Sequence, residues 1–159
     1  MEINADIKSI AMKQNPNKSI GWVNGEWGPP KQLQIPICDR GLNIGDGIFE
    51  TILIYNGKAQ LLESHLDRWK QSALLLRMAT PPSKTWLQPL IDEAIQRTSL
   101  TNGNGALRLN WSRGDNHSRG INIQTETNHR FWLELNPKEP SFNSISTLIS
   151  RYEKRNAFS

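Results

Sequence analysis

The stretch IFETILIYNGKAQLLESHLDRW, from Ile48 to Trp69, decides the fold. Its first eight residues, Ile48 to Tyr55, are rich in β-branched and aromatic side chains and predict a strand. Asn56-Gly57 follows, the strongest short hairpin signal, so Lys58 to Leu62 reads as the returning strand. The period then changes from two to 3.6. Leu66, Trp69, Ala73 and Leu76 stand at i, i+3, i+7 and i+10, one face of a helix. Ser64 reads as its cap, with Asp67 as an acid in the first turn, and Pro81-Pro82 as its stop.

Working outward, Ser83 reads as the cap of a second helix with the apolar face Leu87, Leu90, Ile91, Ala94 and Ile95. Pro89 falls inside that run and predicts an uneven helix or a later start. Asn102 to Gly105 is a loop. Ala106 to Ser112 (ALRLNWS) alternates like a strand with one buried face, and Phe131 to Leu135 and Ile145 to Ile149 read as two more strands. Upstream, Ile20 to Val23 is a short strand followed by the turn signal Asn24-Gly25. Trp27 to Pro30 reads as irregular because prolines cannot donate to a ladder. Leu33 to Ile37 reads as a short edge strand. Asp39 to Gly47 (DRGLNIGDG) keeps no helical period and reads as a glycine-rich loop. The order predicts an α+β fold, a small and largely antiparallel sheet with two helices on one side.

Composition narrows the function. Nineteen Lys and Arg against fifteen Asp and Glu leave a net charge of +4, with a pI near 9.4. No run of five like charges occurs, so nucleic acid is not an expected partner. One cysteine, Cys38, excludes an internal disulfide framework and a cysteine zinc cluster. The three histidines, His65, His117 and His129, lack metal-ligand spacing. No stretch approaches the roughly 20 apolar residues of a membrane span. A secretory apolar core is not found, because Ile7 to Met12 is broken by Lys8 and Ser9. A cytoplasmic protein is the expectation. Met1 to Ser19 is polar and unpatterned and reads as a flexible tail.

Several residues could carry chemistry, each with a plainer alternative. The glycines of Asp39 to Gly47 permit a close backbone approach to a ligand or a simple structural turn. The stretch is neither a P-loop nor a dinucleotide fingerprint, since it precedes a strand and has no Gly-Lys-Ser/Thr ending. Arg68, beside the core-facing Trp69, could fork onto a phosphate or lay its stem on the core. Arg108 lies between two leucines of a strand and is either solvated or turned to a cleft. Arg113-Gly114 and Arg119-Gly120, in SRGDNHSRG, could bind anions or form an ordinary loop.

In order and spacing, VNGEW (Val23 to Trp27), DRGLNIGDGIFETILIYNGKAQLLESHLDRW (Asp39 to Trp69), SALLL (Ser72 to Leu76), ALRLNWSRGDNHSRG and ISRYEKRNAFS (Ile149 to Ser159) resemble class IV, fold-type IV pyridoxal-phosphate (PLP) enzymes. That family includes branched-chain and D-amino acid aminotransferases and 4-amino-4-deoxychorismate lyase, and the RG…RG form is most similar to the lyases. The resemblance implies a cofactor phosphate on Arg68, in a cleft shared with the glycine-rich loop. It implies Arg108 and Arg113 near a substrate carboxylate, a small amino-group substrate and a homodimer. The D-amino acid enzymes have a tyrosine where Leu42 stands, and the branched-chain enzymes one where Ile44 stands, which argues against both specificities. The family's Schiff-base lysine comes a few residues after the Arg-Asn pair, so Lys154, which precedes Arg155-Asn156, is not that residue. The expectation is therefore a truncated chain with no catalytic residue of its own. Residues 20–137 would form the small domain, and 138–159 a linker and the first strand of a second. The alternative is a non-catalytic remnant that pairs with itself or a homologue.

Overall fold

A computed structural model describes residues 18–115, 121–123 and 128–147. Among these residues six strands, β1 (Ile20–Val23), β2 (Glu26–Gly28), β3 (Gly47–Tyr55), β4 (Lys58–Ala59), β5 (Gly105–Ser112) and β6 (Arg130–Pro137), form one sheet. Its order is β2-β1-β6-β5-β3-β4, and every neighbouring pair is antiparallel. Among the described residues three helices accompany it in an α+β fold: α1 (Arg40–Ile44), α2 (Leu62–Leu75) and α3 (Lys84–Arg97).

The deciding stretch folds as a strand, a tight turn and a helix. Asn56 and Gly57 both have positive φ, 47° and 69°, as the twist-matched hairpin turn requires. Position 57 must also be glycine on spatial grounds, since a Cβ there would lie 2.1 Å from the Thr101 carbonyl oxygen. Asn24 and Gly25 repeat the device between β1 and β2, with φ of 52° and 89°.

Alternation along the strands builds the core. Ile52 and Ile54 of β3, Leu107 and Leu109 of β5, and Leu133 and Leu135 of β6 all face the helices and are fully or almost fully buried. Leu62 and Trp69 of α2, and Leu87, Ile91 and Ala94 of α3, meet them. Each such aliphatic side chain contributes roughly 1.5–3 kcal/mol. An exposed pair such as Lys84–Glu63 contributes at most about 1 kcal/mol, so the apolar layer carries the stability.

Several sequence expectations are corrected. Asp39 to Gly47 is not all loop: Asp39 accepts hydrogen bonds from the backbone of Gly41 and Leu42 and caps the one-turn helix α1. Gly45 closes that turn at a φ of 68°. Trp27 is not irregular; it pairs with Trp22, and the prolines begin only after β2. Leu33 to Ile37 forms no strand. Leu33 instead covers the bare backbone of Gly21 and Gly28, where a Cβ would meet it at 2.7 and 3.3 Å. The returning strand is only Lys58–Ala59, because Leu61 takes a left-handed conformation (φ 51°) and α2 starts at Leu62. Ser64 therefore lies inside the first turn and does not cap it, and the acid there is Glu63. Ser83 does cap α3, which starts at Lys84 and continues through Pro89. Residues 145–147 are in no strand, and the rest of that expected strand lies outside the described residues.

Candidate cofactor and substrate site

Arg68 points from α2 toward β3, where it meets Glu50. Strand alternation places Glu50 on the same face as Ile52 and Ile54. Its carboxylate, 3% exposed, receives the Arg68 Nε at 2.8 Å and the Arg68 Nη2. His65, one turn earlier on α2, stands with Nδ1 2.7 Å from Glu50 Oε2. A carboxylate only accepts, so Nδ1 carries the hydrogen in this contact. The Arg68 side chain remains 65% exposed. Its hydrogen bond to Glu50 and the charge of that carboxylate raise its pKa, which keeps it cationic. Both bonds to Glu50 come from Nε and Nη2, and Nη1 has no partner among the described residues. A guanidinium fixed along one edge and open along another suits a phosphate, so the residues present fit the phosphate end of PLP.

Arg108 lies on the other face of the sheet. Its guanidinium sits 3.6 Å from the Phe49 ring centroid, and its Nε donates to Asn110 Oδ1 at 3.0 Å. A cavity of about 340 Å³ opens beside it, lined by Gly41, Leu42, Gly47, Phe49, Asn110 and Trp132 among others. The glycine-rich segment therefore shares a cleft with Arg108. Arg68 is not part of that lining: Glu50, which fixes it, faces the helices, and Phe49, under Arg108, faces the opposite way. Within the described residues the two arginines are held on opposite faces of β3, which departs from the shared cleft expected for Arg68.

Arg113 is 3% exposed. Its Nε binds Asp46, and its Nη1 and Nη2 donate to the carbonyls of Arg77 and Leu76 at the end of α2. Asp46 also accepts from Arg40 Nε at 2.7 Å. Arg40 in turn reaches the carbonyls of Ile121 and Asn122. Asp39, fully buried, accepts from Ser112 Oγ at 2.7 Å and Arg130 Nη1 at 2.5 Å, and Arg130 forks onto Asp115. These ion pairs hold the glycine-rich segment, the turn after α2, Arg113 to Asp115 and the start of β6 as one unit. Gly47, at its edge, lets the backbone of β5 approach: a Cβ there would lie 3.1 Å from the Trp111 carbonyl oxygen.

Leu42 and Ile44 are largely exposed on α1. Cys38 is exposed. Arg119, His117 and Lys154 lie outside the described residues. Sequence reasoning missed Glu50 and Asp39. For Glu50 a signal existed: an acid in register with Ile52 and Ile54 must find a cation. For Asp39 the partner Arg130 is 91 residues away, and no local pattern points to it. No helix among the described residues is long and apolar enough to cross a membrane.

Burial alone would raise the Asp46 and Glu50 pKa values. Hydrogen bonds from Arg113 and Arg40 to Asp46, and from Arg68 and His65 to Glu50, outweigh it and hold both carboxyls below their usual range. A folded-state value below the unfolded one gives stability that is present above the unfolded pKa and lost as pH falls through the folded one. Urea midpoints are therefore expected to fall as pH drops below about 4. Asp46→Asn, less stable at neutral pH, is expected to flatten that decline. An unchanged pH slope in Asp46→Asn would contradict the assignment.

The model of the family "Amino-transferase class IV" matches residues 47–159. The branched-chain-amino-acid aminotransferase-like protein 2 of Arabidopsis thaliana is 35% identical over 107 residues, 65% of this chain and 18% of that protein. The bifunctional aminodeoxychorismate lyase / D-amino acid transaminase of Mycobacterium tuberculosis is 45% identical over 93 residues, 58% of this chain and 32% of that one. Among solved structures, a hypothetical aminotransferase from Mycobacterium tuberculosis in its PLP-bound form superposes with a TM-score of 0.62 at 29% identity. That match covers 76% of this chain and 40% of the other. The chain thus spans less than half the length of these relatives. It belongs to the class IV amino-transferase family.

Proposed function

We propose that this chain is the phosphate-holding, N-terminal portion of a PLP-dependent enzyme, aminotransferase or aminodeoxychorismate lyase in type. It acts on a small amino-group substrate, as a cytoplasmic homodimer. Arg68 carries the reading: it is an exposed guanidinium, fixed by a buried carboxylate, in the motif position expected to take the phosphate. PLP, when bound, supplies an electron sink for the substrate's α-carbon. The chain's own part is binding and orientation. Arg68 takes the phosphate through its open edge. Arg108, steadied by Phe49 and Asn110, offers its guanidinium to a carboxylate in the cleft beside the glycine-rich segment, on the face of β3 opposite Arg68. Arg113 contributes by anchoring that segment. Leu42 and Ile44 offer apolar contact in place of the tyrosine hydroxyls of the D-amino acid and branched-chain enzymes, which favours a lyase-type substrate.

The test is titration of PLP, and of pyridoxal lacking the phosphate, against tryptophan fluorescence. Arg68→Ala is expected to weaken PLP binding about tenfold or more, the loss of charge-assisted hydrogen bonds, and to leave pyridoxal binding unchanged. Equal PLP affinity in the two proteins would refute the assignment. A second reading, a non-catalytic domain that pairs with itself, is favoured by the exposed Phe49, Leu53 and Tyr55 on the open sheet face. A wild-type protein that binds no PLP yet sediments as a dimer would select it.

A further inference from the structure

We infer that Glu50 is a positioning residue, acting through Arg68 to present one fixed guanidinium edge to a phosphate; this rests on the reading that Arg68 takes the cofactor phosphate. On the helix-facing side of β3 the side chains run Ile48, Glu50, Ile52 and Ile54, three apolar and one ionised. Burying a carboxylate is unfavourable unless it is paired, and a hydrophobic residue in such a place commonly serves stability as well or better. Glu50 is 3% exposed while its partner Arg68 is 65% exposed. The burial is therefore one-sided: the acid is sunk in the domain and the cation stands at the surface.

That asymmetry sets the guanidinium rather than hiding it. Nε and Nη2 are both spent on Glu50, which fixes the guanidinium plane and leaves the Nη1 edge outward. His65 donates to the same carboxylate from the adjacent turn of α2, so the carboxylate is itself held against rotation. A free surface arginine must give up rotamer freedom when it grips an anion. One already held has surrendered it in the unliganded protein and binds with less loss.

Charge alone predicts the opposite sign. Removing the negative charge beside Arg68 would strengthen attraction for a phosphate, whereas removing the clamp weakens the grip. Glu50→Gln, nearly isosteric, separates the two. PLP and inorganic phosphate are titrated against wild type, Glu50→Gln, Arg68→Ala and the double variant, and the Arg68 Nε–H resonance is followed by NMR. Glu50→Gln is expected to weaken PLP binding about tenfold, the worth of one charge-assisted hydrogen bond. It is expected to have no effect in the Arg68→Ala background. The Arg68 Nε–H signal, slow to exchange in the wild type, should be lost in Glu50→Gln. Unchanged or tighter binding by Glu50→Gln, with Arg68→Ala weakened, overturns the positioning role and leaves the phosphate assignment standing. No effect of Arg68→Ala overturns both. Should Glu50→Gln fail to fold, His65→Ala releases the same carboxylate from one side. It is expected to give a smaller loss in the same direction, and full wild-type affinity with an unchanged Nε–H signal would sink the inference.

Discussion

Asp39→Ala is expected to lower the free energy of unfolding by about 3–5 kcal/mol, the cost of breaking a buried ion pair from one side. The Asp39 side chain is fully buried. One carboxylate oxygen caps α1 through the amides of Gly41 and Leu42. The other accepts from Ser112 Oγ and Arg130 Nη1, on segments 73 and 91 residues away. Alanine would orphan the cap, the hydroxyl and part of the guanidinium together. Arg130 keeps its fork onto Asp115, which places the effect toward the lower end of that range. Asp39→Asn keeps an acceptor for the cap but brings an amide N–H toward Arg130, and is expected to fall between alanine and wild type. For a domain whose whole stability is about 5–15 kcal/mol, the alanine variant loses much of its margin. Urea denaturation followed by tryptophan fluorescence measures it, and a change below about 1 kcal/mol would mean that the network is peripheral.

Local pattern reached as far as local physics does. The strand Ile48 to Tyr55, the turn at Asn56-Gly57 and the apolar faces of α2 and α3 follow from periodicity and turn chemistry, and they stand in the structure with ends shifted by a few residues. The shift at Leu61 has a cause that sequence hides. A left-handed leucine is intrinsically unfavourable, and here it stands immediately before α2, whose Leu62 and Trp69 are buried. The one-turn helix α1 was missed because its cap, Asp39, is held from outside by Ser112 and Arg130. A helix of five residues has no stability of its own. The site shows the same split. The motif position of Arg68 was readable, but its clamp Glu50 comes from the strand 18 residues earlier, and only the alternation of β3 turns the two toward each other. The expectation that Arg68 and the glycine-rich segment share a cleft failed for a related reason: adjacent residues Phe49 and Glu50 must point to opposite faces, so what each one holds is separated by the sheet.

Arg113→Ala is expected to cost about 3 kcal/mol of stability, and the size of that loss decides what this arginine is for. Two roles compete. The family pattern places it near a substrate carboxylate, and the geometry makes it an anchor. As an anchor it donates to the carbonyls of Leu76 and Arg77, just past the end of α2, and to Asp46, which fixes the glycine-rich segment. A cation at a helix C-terminus is favourable in itself. Arg77 also has a φ of 53°, a conformation costing roughly 1–2 kcal/mol in a residue with a side chain, and its carbonyl is one that Arg113 holds. Removing Arg113 thus frees a strained turn, strands two carbonyls and leaves Asp46 with Arg40 alone. Arg113→Lys is expected to restore little, because one ammonium cannot span three acceptors in different directions. Arg108→Ala is the counterpart. Arg108 is exposed, with its guanidinium over the Phe49 ring and on Asn110, so its loss is expected to leave the urea midpoint almost unmoved while lowering affinity for a carboxylate substrate analogue. If Arg113→Ala instead kept full stability and lost analogue binding, its side chain would have to leave the α2 carbonyls in the liganded state, and the anchor would be the wrong description.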